Sequence, residues 1–170
     1  MSEANVYLGL GANLGDRRAN LRAGLTALGR LGTVLAVSRI YETQPVGCPE
    51  QPPFLNLACH LRTGLSPHSL LTATQSVERS LGRCRASLNK PRELDIDILL
   101  YEDLVLSDSV LTIPHPRMTE RAFVLVPLAD IAPELRHPGR DMTVAVLLRR
   151  LHDTHWVRPY DGRCDVRTIR

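Results

Sequence analysis

An α+β fold is predicted by this sequence, and three observations predict it. Apolar side chains alternate at every second residue in several short segments, the mark of strands with two different faces. Between them lie helical stripes at i, i+4 and i+7 spacing. The order strand, helix, strand, strand, helix, strand then lets both helices cover one face of an antiparallel sheet.

The first strand covers residues 5–10, with Val6, Leu8 and Leu10 on one face. GLGANLGD follows, and its Gly9, Gly11 and Gly15 lack the G-x-G-x-x-G spacing of a dinucleotide loop and the lysine of a P-loop. It reads as a tight turn into a helix, capped by Asn13 or Asp16. Leu21, Leu25 and Leu28 form that helix's stripe, stopped near Gly29 and Gly32. A second strand is predicted over residues 33–42, where β-branched residues gather. Residues 43–53, TQPVGCPEQPP, hold four prolines in eleven positions. Such a segment is neither helix nor central strand, and its ordered form is a stiff loop suited to a binding wall.

A third strand runs over residues 54–61, with Leu55, Leu57, Cys59 and Leu61 against Phe54, Asn56, Ala58 and His60. Ser66 and Pro67 are a cap and a first-turn proline for a second helix with the stripe Leu70, Ala73 or Thr74, Val77 and Leu81. It ends near Gly82. The fourth strand lies in PRELDIDILLY, where Asp95, Asp97 and Leu99 project from one side and Ile96, Ile98 and Leu100 from the other. A short return segment follows over residues 105–110. The run opening at Phe123 is a strand or a buried helix, which periodicity does not decide. Val144, Leu147, Leu148 and Leu151 make a last stripe, started by Asp141 or Thr143.

The resulting order is the ferredoxin-like βαββαβ antiparallel sheet with an appended C-terminal helical part. Helices on one face leave the other for a ligand. A length of 170 residues with 44% apolar and 23% charged content suits one domain, residues 1–170, with a tail over 152–170 that carries no readable motif. Apolar runs are far short of the ~20 residues of a membrane span, and MSEANVYLGL lacks the basic and apolar parts of a signal peptide. A cytoplasmic protein is expected. Cys48, Cys59, Cys84 and Cys164 are scattered without a C-x-x-C pair, which argues against a zinc site and a disulfide framework. A net charge of +3 and 4% aromatics argue against a nucleic-acid platform.

The chemistry gathers in the fourth strand. Carboxylates at i and i+2 stand roughly 6.5 Å apart at Cα, close enough to repel and well placed to hold a hard cation such as Mg²⁺. Arg92 just upstream adds a fork of donors suited to phosphate. Taken alone, Asp-x-Asp is more often the solvated face of an edge strand. His115 is held extended between Pro114 and Pro116; a lone histidine is more often structural than catalytic, and Arg117 and Arg121 close behind shift that balance. Phe54 and Phe123 are the chain's two phenylalanines, both beside predicted site loops, and a flat heterocycle stacks well on such rings.

With Asp95 and Asp97, the TQPVG loop, Phe54-x-Asn56 and PHPRM…RAF in place, the sequence resembles the 6-hydroxymethyl-7,8-dihydropterin pyrophosphokinases of folate biosynthesis over residues 6–151. The resemblance implies a single pyrophosphokinase domain, with 152–170 as a tail unlike the family. It implies pyrophosphate transfer from ATP to the pterin hydroxymethyl group, release of AMP, two Mg²⁺ ions, small-molecule substrates and a monomer. Carried over by position, Asp95 and Asp97 correspond to metal ligands, with either of them or a metal-bound alkoxide handling the hydroxyl proton. Arg83, Arg92, His115 and Arg121 correspond to catalytic polyphosphate contacts. Gln75, Glu78 and Arg85 join them in ATP binding. Thr43, Gln44, Pro45, Val46, Gly47 and Asn56 read the pterin, sandwiched by Phe54 and Phe123.

One departure stands out. The family has Trp-Gly before the Pro-Arg of this motif, where this chain has Leu88, Asn89 and Lys90. An altered nucleotide lid with weaker ATP affinity is expected. Ala12 in place of the commoner serine is milder. Two competing readings are a relative acting on another hydroxymethyl heterocycle and a non-catalytic ferredoxin-like RNA-binding module, which a steep salt slope and indifference to Asp95→Ala would reveal.

Overall fold

A computed structural model describes residues 2–47, 50–82, 91–162 and 164. Strands β1 (Ala4–Ala12), β2 (Thr33–Val37), β3 (Tyr41–Thr43), β4 (Phe54–Thr63) and β5 (Asp95–Tyr101) alternate with helices α1 (Arg17–Leu28) and α2 (Pro67–Ser80). The hairpin β6 (Leu106–Ser107) and β7 (Thr112–Ile113) follows. Then come α3 (Ala122–Ile131), the short pair β8 (Arg136–His137) and β9 (Met142–Thr143), α4 (Val144–Arg149) and β10 (Val157–Pro159). The main sheet runs β10-β3-β4-β1-β5, with β2 also paired to β4, and every adjacent pair is antiparallel. That order is the ferredoxin-like arrangement extended by one edge strand. No helix among the described residues is long and apolar enough to cross a membrane.

Alternation sorts the core. Leu8 and Leu10 of β1, Leu55, Leu57 and Leu61 of β4 and Ile96 and Ile98 of β5 meet the stripe Leu21, Leu25 and Leu28 of α1 and Leu70 of α2. Asp16 caps α1 by accepting from the Ala19 N–H at 3.0 Å, and Ser66 caps α2. Within α2 the buried row is Leu70, Thr74 and Glu78. Glu78 is buried because it has a task there, since its Oε1 accepts from the Ile96 N–H of β5 at 2.7 Å.

The opposite sheet face is covered in part, contrary to the expectation that it is left for a ligand. Ala58, Leu99 and Leu100 pack against Leu125 and Leu128 of α3 and Val144 and Leu147 of α4. The run opening at Phe123 is therefore a helix, and Thr143 starts α4 by accepting from the Val146 N–H at 3.3 Å. Leu100 was expected beside Ile96 and Ile98, but the β1–β5 register shifts between Tyr7 and Leu8 and turns it to the second face with Leu99. The strand predicted over residues 33–42 is two strands. At the break the Ser38 hydroxyl accepts from the Ala58 N–H at 2.8 Å, taking the place of a ladder bond.

Glu78→Ala would strand the Ile96 N–H in the core and leave a hole, so a loss of about 2–4 kcal/mol in urea unfolding is expected. Glu78→Gln, which keeps an acceptor oxygen, is expected to cost clearly less.

Candidate active site

A cleft of about 470 Å³ opens where β1, β4 and β5 meet the start of α3 and the proline-rich loop. Its floor follows from the pleat of β1. Val6, Leu8 and Leu10 point into the core, so Gly9 and Gly11 face the cleft and leave it deep. A Cβ on Gly11 would stand 2.6 Å from Asn56 Oδ1 and 3.6 Å from Phe54 Cδ1. Glycine there makes room for the Asn56 amide. The strand was expected to yield to a turn at these glycines, but β1 continues through Ala12, and Gly15 alone of the three has a left-handed φ, 64°. Glycine alternating with leucine was the available signal, because a strand glycine often marks a close approach.

One wall is the loop after β3. Thr43, Gln44, Val46 and Gly47 line it, while Pro45 is buried behind. Asn56 Nδ2 donates to Thr43 Oγ1 at 2.6 Å, and both residues are buried. This bond orients the amide and leaves Asn56 Oδ1 toward Gly11. Phe54 opens β4 and Phe123 sits in the first turn of α3, and both line the cleft. The Arg121 guanidinium lies 5.4 Å from the Phe123 ring centroid.

The far wall is ionic. Asp95 and Asp97 project from the cleft side of β5, as their spacing requires. Arg92 holds Asp95 Oδ2 at 2.8 Å. Arg92 is itself set by Asn13, whose Oδ1 accepts from the Arg92 N–H at 2.8 Å while its own N–H donates to the Arg92 carbonyl at 3.0 Å. Asp16 is thus the helix cap of the two candidates, and Asn13 is a loop clamp.

His115 docks on β5 by donating its N–H to the Leu99 carbonyl at 2.9 Å. Its Nδ1 accepts from the Arg117 N–H at 3.2 Å, which in a neutral ring places the proton on Nε2. Burial, with Arg121 nearby, pushes its pKa down to about 4. Arg121 is also pulled below its ordinary value by burial and by Arg117. Arg121 Nε is buried and finds no hydrogen-bond partner among the described residues. Such a donor suits an incoming anion.

A second cleft of about 330 Å³ adjoins the first. Leu71, Ile98, Leu111 and Thr112 line it, and Asp97 and His115 belong to both clefts.

Of the residues singled out from sequence, Thr43, Gln44, Val46, Gly47, Phe54, Asn56, Arg92, Asp95, Asp97, His115, Arg121 and Phe123 share the first cleft. Gln75 is exposed on α2 and Glu78 is buried behind β5, so neither lines a cleft described here, contrary to their expected place at the nucleotide. Arg83, Arg85, Leu88, Asn89 and Lys90, with the lid expectation attached to them, lie outside the described residues. Sequence reasoning missed Gly9, Gly11 and Gln51 in the first cleft and the apolar lining of the second, and it noted Arg117 without assigning it to the site. Arg117 carried a signal, two residues after His115. The second cleft carried none, because its lining joins distant segments.

The family model for 7,8-dihydro-6-hydroxymethylpterin-pyrophosphokinase matches residues 7–133. The chain is 46% identical over 132 residues to a 2-amino-4-hydroxy-6-hydroxymethyldihydropteridine pyrophosphokinase of Bacillus subtilis, covering 76% of this chain and 79% of that protein. It is 47% identical over 143 residues to the Methylorubrum extorquens protein of the same name, covering 83% and 90%. Against the folic acid synthesis protein fol1 of Schizosaccharomyces pombe it is 46% identical over 135 residues, yet spans 18% of that longer protein. The solved structure of wild-type Plasmodium falciparum HPPK-DHPS with pteroate shares the fold, with a TM-score of 0.73 at 17% identity, over 88% of this chain and 44% of that one.

The low pKa of His115 has a consequence for stability. Below about pH 6.5 the unfolded chain takes a proton that the folded chain refuses until about pH 4. This contribution is therefore constant above pH 6.5 and destabilises progressively as pH falls toward 4. Urea midpoints at pH 7 and pH 5, without nucleotide or divalent cations, are expected to fall less for His115→Asn than for the wild type.

Proposed function

We propose, because this chain belongs to the 7,8-dihydro-6-hydroxymethylpterin-pyrophosphokinase family, that it transfers pyrophosphate from ATP to the hydroxymethyl group of 6-hydroxymethyl-7,8-dihydropterin. AMP is released, and the product serves folate biosynthesis. The observation that carries this reading is the sharing of Asp97 and His115 between two clefts of different character. A reaction joining two bound molecules needs their reacting ends to meet at one place.

The pterin takes the first cleft. Its ring stacks offset against Phe54 and Phe123, and its polar edge meets Asn56, Thr43 and the backbone of the loop. Asn56 is oriented by Thr43 before any ligand arrives, so little ordering cost remains at binding. Discrimination comes from the buried amide, which a heterocycle without matching donors and acceptors would leave unsatisfied. The adenosine takes the second cleft, among Leu71, Ile98 and Leu111. Its triphosphate then runs past His115 toward Arg92, Arg117 and Arg121, all on the first cleft. The buried Arg121 Nε and the Nε2–H of His115 are donors for its oxygens.

Asp95 and Asp97 fit Mg²⁺ held jointly with nucleotide. Two cleft carboxylates are the usual protein share of such a site, the remaining ligands being phosphate oxygens and water. Two ions are assigned here, as the resemblance implies. When bound, Mg²⁺ neutralises phosphate charge and aligns the oxygens.

The hydroxymethyl oxygen attacks the β-phosphorus. The bond from that phosphorus to the α–β bridging oxygen breaks, and its electron pair leaves with AMP. Asp97, which borders both clefts, accepts the hydroxyl proton on a carboxylate oxygen. Arg92 and Arg121 meet the charge developing on the leaving phosphate. A monomer is assigned here, as the resemblance implies, and the buried thiol of Cys59 suits the reducing cytoplasm.

The test is a coupled assay of AMP release with Mg²⁺, ATP and 6-hydroxymethyl-7,8-dihydropterin. Pterin-dependent AMP is expected from the wild type, with kcat lowered about 10²–10³-fold in Arg121→Ala and at least as far in Asp97→Ala. Release of AMP that ignores the pterin, or full activity in Asp97→Ala, would overturn the reading. In Phe123→Ala, KM for the pterin is expected to rise well above tenfold while KM for ATP stays near that of the wild type.

A further inference from the structure

The segment after α4 makes three anchors, and each falls one residue from a side chain that walls the first cleft. Asp153 Oδ2 accepts from the Ala122 N–H at 2.8 Å, beside Phe123. The Gln44 N–H donates to the Trp156 carbonyl at 3.1 Å and Gln44 Oε1 accepts from the Trp156 N–H at 3.3 Å, beside Thr43. Arg158 grips Glu42 Oε2 through Nε at 3.0 Å and Nη2 at 2.5 Å. Glu42 Oε1 in turn accepts from Arg17 at 3.0 Å, and Arg17 donates to the Pro53 carbonyl at 2.7 Å, beside Phe54. Between these anchors β10 pairs with β3, Val157 opposite Thr43 and Pro159 opposite Tyr41.

The chemistry of the anchors favours rigidity. The Asp153 side chain is 5% exposed, and its other oxygen accepts from the His155 N–H at 3.0 Å and contacts His155 Nδ1 at 2.5 Å. Its carboxylate stands at the N-terminus of α3, where no side chain of the helix caps the first turn and negative charge is favoured. The residues that make these contacts from the C-terminal side lie beyond the stretch matched by the family model.

We propose that residues 153–158 form a strap that positions the three walls of the pterin cleft, with Asp153 as its principal positioning residue. The proposal rests on the reading of that cleft as the pterin site. No residue of the strap lines the second cleft, so it weighs more on pterin affinity than on ATP affinity, which it reaches only through Arg121 next to the Ala122 anchor. It closes the free edge of β3, and the loop that reads the pterin continues directly from that edge.

The experiment uses the full chain and begins with a wild-type titration of the pterin by its own fluorescence, with a nonhydrolysable ATP analogue titrated separately. Absent pterin binding by the wild type would overturn the reading of the cleft and the strap's role in it together. With binding in place, Asp153→Ala at a temperature well below its unfolding transition is expected to weaken the pterin about tenfold, from loss of a cap-like bond and of fixed geometry. ATP-analogue affinity should fall by a clearly smaller factor than pterin affinity. Asp153→Asn, which keeps an acceptor for the Ala122 N–H, is expected to restore most of the loss. Arg158→Ala, at an exposed side chain, should weaken the pterin by a smaller factor in the same direction. Amide hydrogen exchange in unliganded Asp153→Ala is expected to quicken at Gln44 and at residues 122–124. Pterin affinity within twofold of wild type in folded Asp153→Ala, or equal loss of both ligands, would overturn the strap and leave the cleft assignment standing.

Discussion

A single buried amide, that of Asn13, ties together the three segments on which the rest of the site depends. Asn13 is 2% exposed; its amide donates through Nδ2 to Gln51 Oε1 at 3.1 Å and the Pro52 carbonyl at 3.2 Å and accepts from the Arg92 N–H, while its main-chain N–H donates to the Arg92 carbonyl. A turn, a proline-rich loop and the lead into β5 therefore share one set of partners. Buried polar groups specify geometry because leaving any of them unpaired costs on the order of 1–3 kcal/mol. Arg92 on one side of this clamp and Phe54 on the other inherit their places from it.

Electrostatics follow from that placement. Asp95, Asp97, Arg92, Arg117 and Arg121 all line a cleft with a glycine floor, so charges of both signs gather around one space. Arg92 engages Asp95. Arg121, half-buried and pulled down by burial and then by Arg117, keeps a donor for an anion at its buried Nε. Burial, helped by the same crowding of positive charge, holds His115 neutral near physiological pH, so it serves as a hydrogen-bond donor from Nε2 rather than as a cation. A row of charge on one wall and aromatic rings on another suits a joint site for polyphosphate and a flat heterocycle.

The second layer on the sheet explains where the cleft stops. Leu99 and Leu100 of β5 pack under α3 and α4, so the ligand face is open at the end that carries Gly11, Asn56 and Asp95 and closed at the end that carries Tyr7. The Tyr7 ring there stacks on His60 at 4.5 Å. Edge strands invite unwanted pairing unless covered, and β10 covers β3 in the way a small sheet commonly protects an exposed rim.

Most of the elements and much of the first cleft were legible in the sequence, because they depend on local periodicity. Leucine stripes, alternating strands, Ser66-Pro67 and Asp16 as helix starts, and the common face of Asp95 and Asp97 need only the repeat of the backbone. The short strand at residues 157–159 was not legible, since its partner β3 lies more than a hundred residues away. Glu78 illustrates the same boundary. Its helical row was plain, but the partner that buries it, the Ile96 N–H, is supplied by a strand from another part of the chain. The sequence alone determined the order of elements, their apolar faces and the residue types brought to the cleft, because those follow from local geometry. Only the tertiary structure decided that Gly9 and Gly11 are a floor, that Asn13 is a clamp and that α3 and α4 close half of the ligand face, because each is a contact between segments distant in the chain.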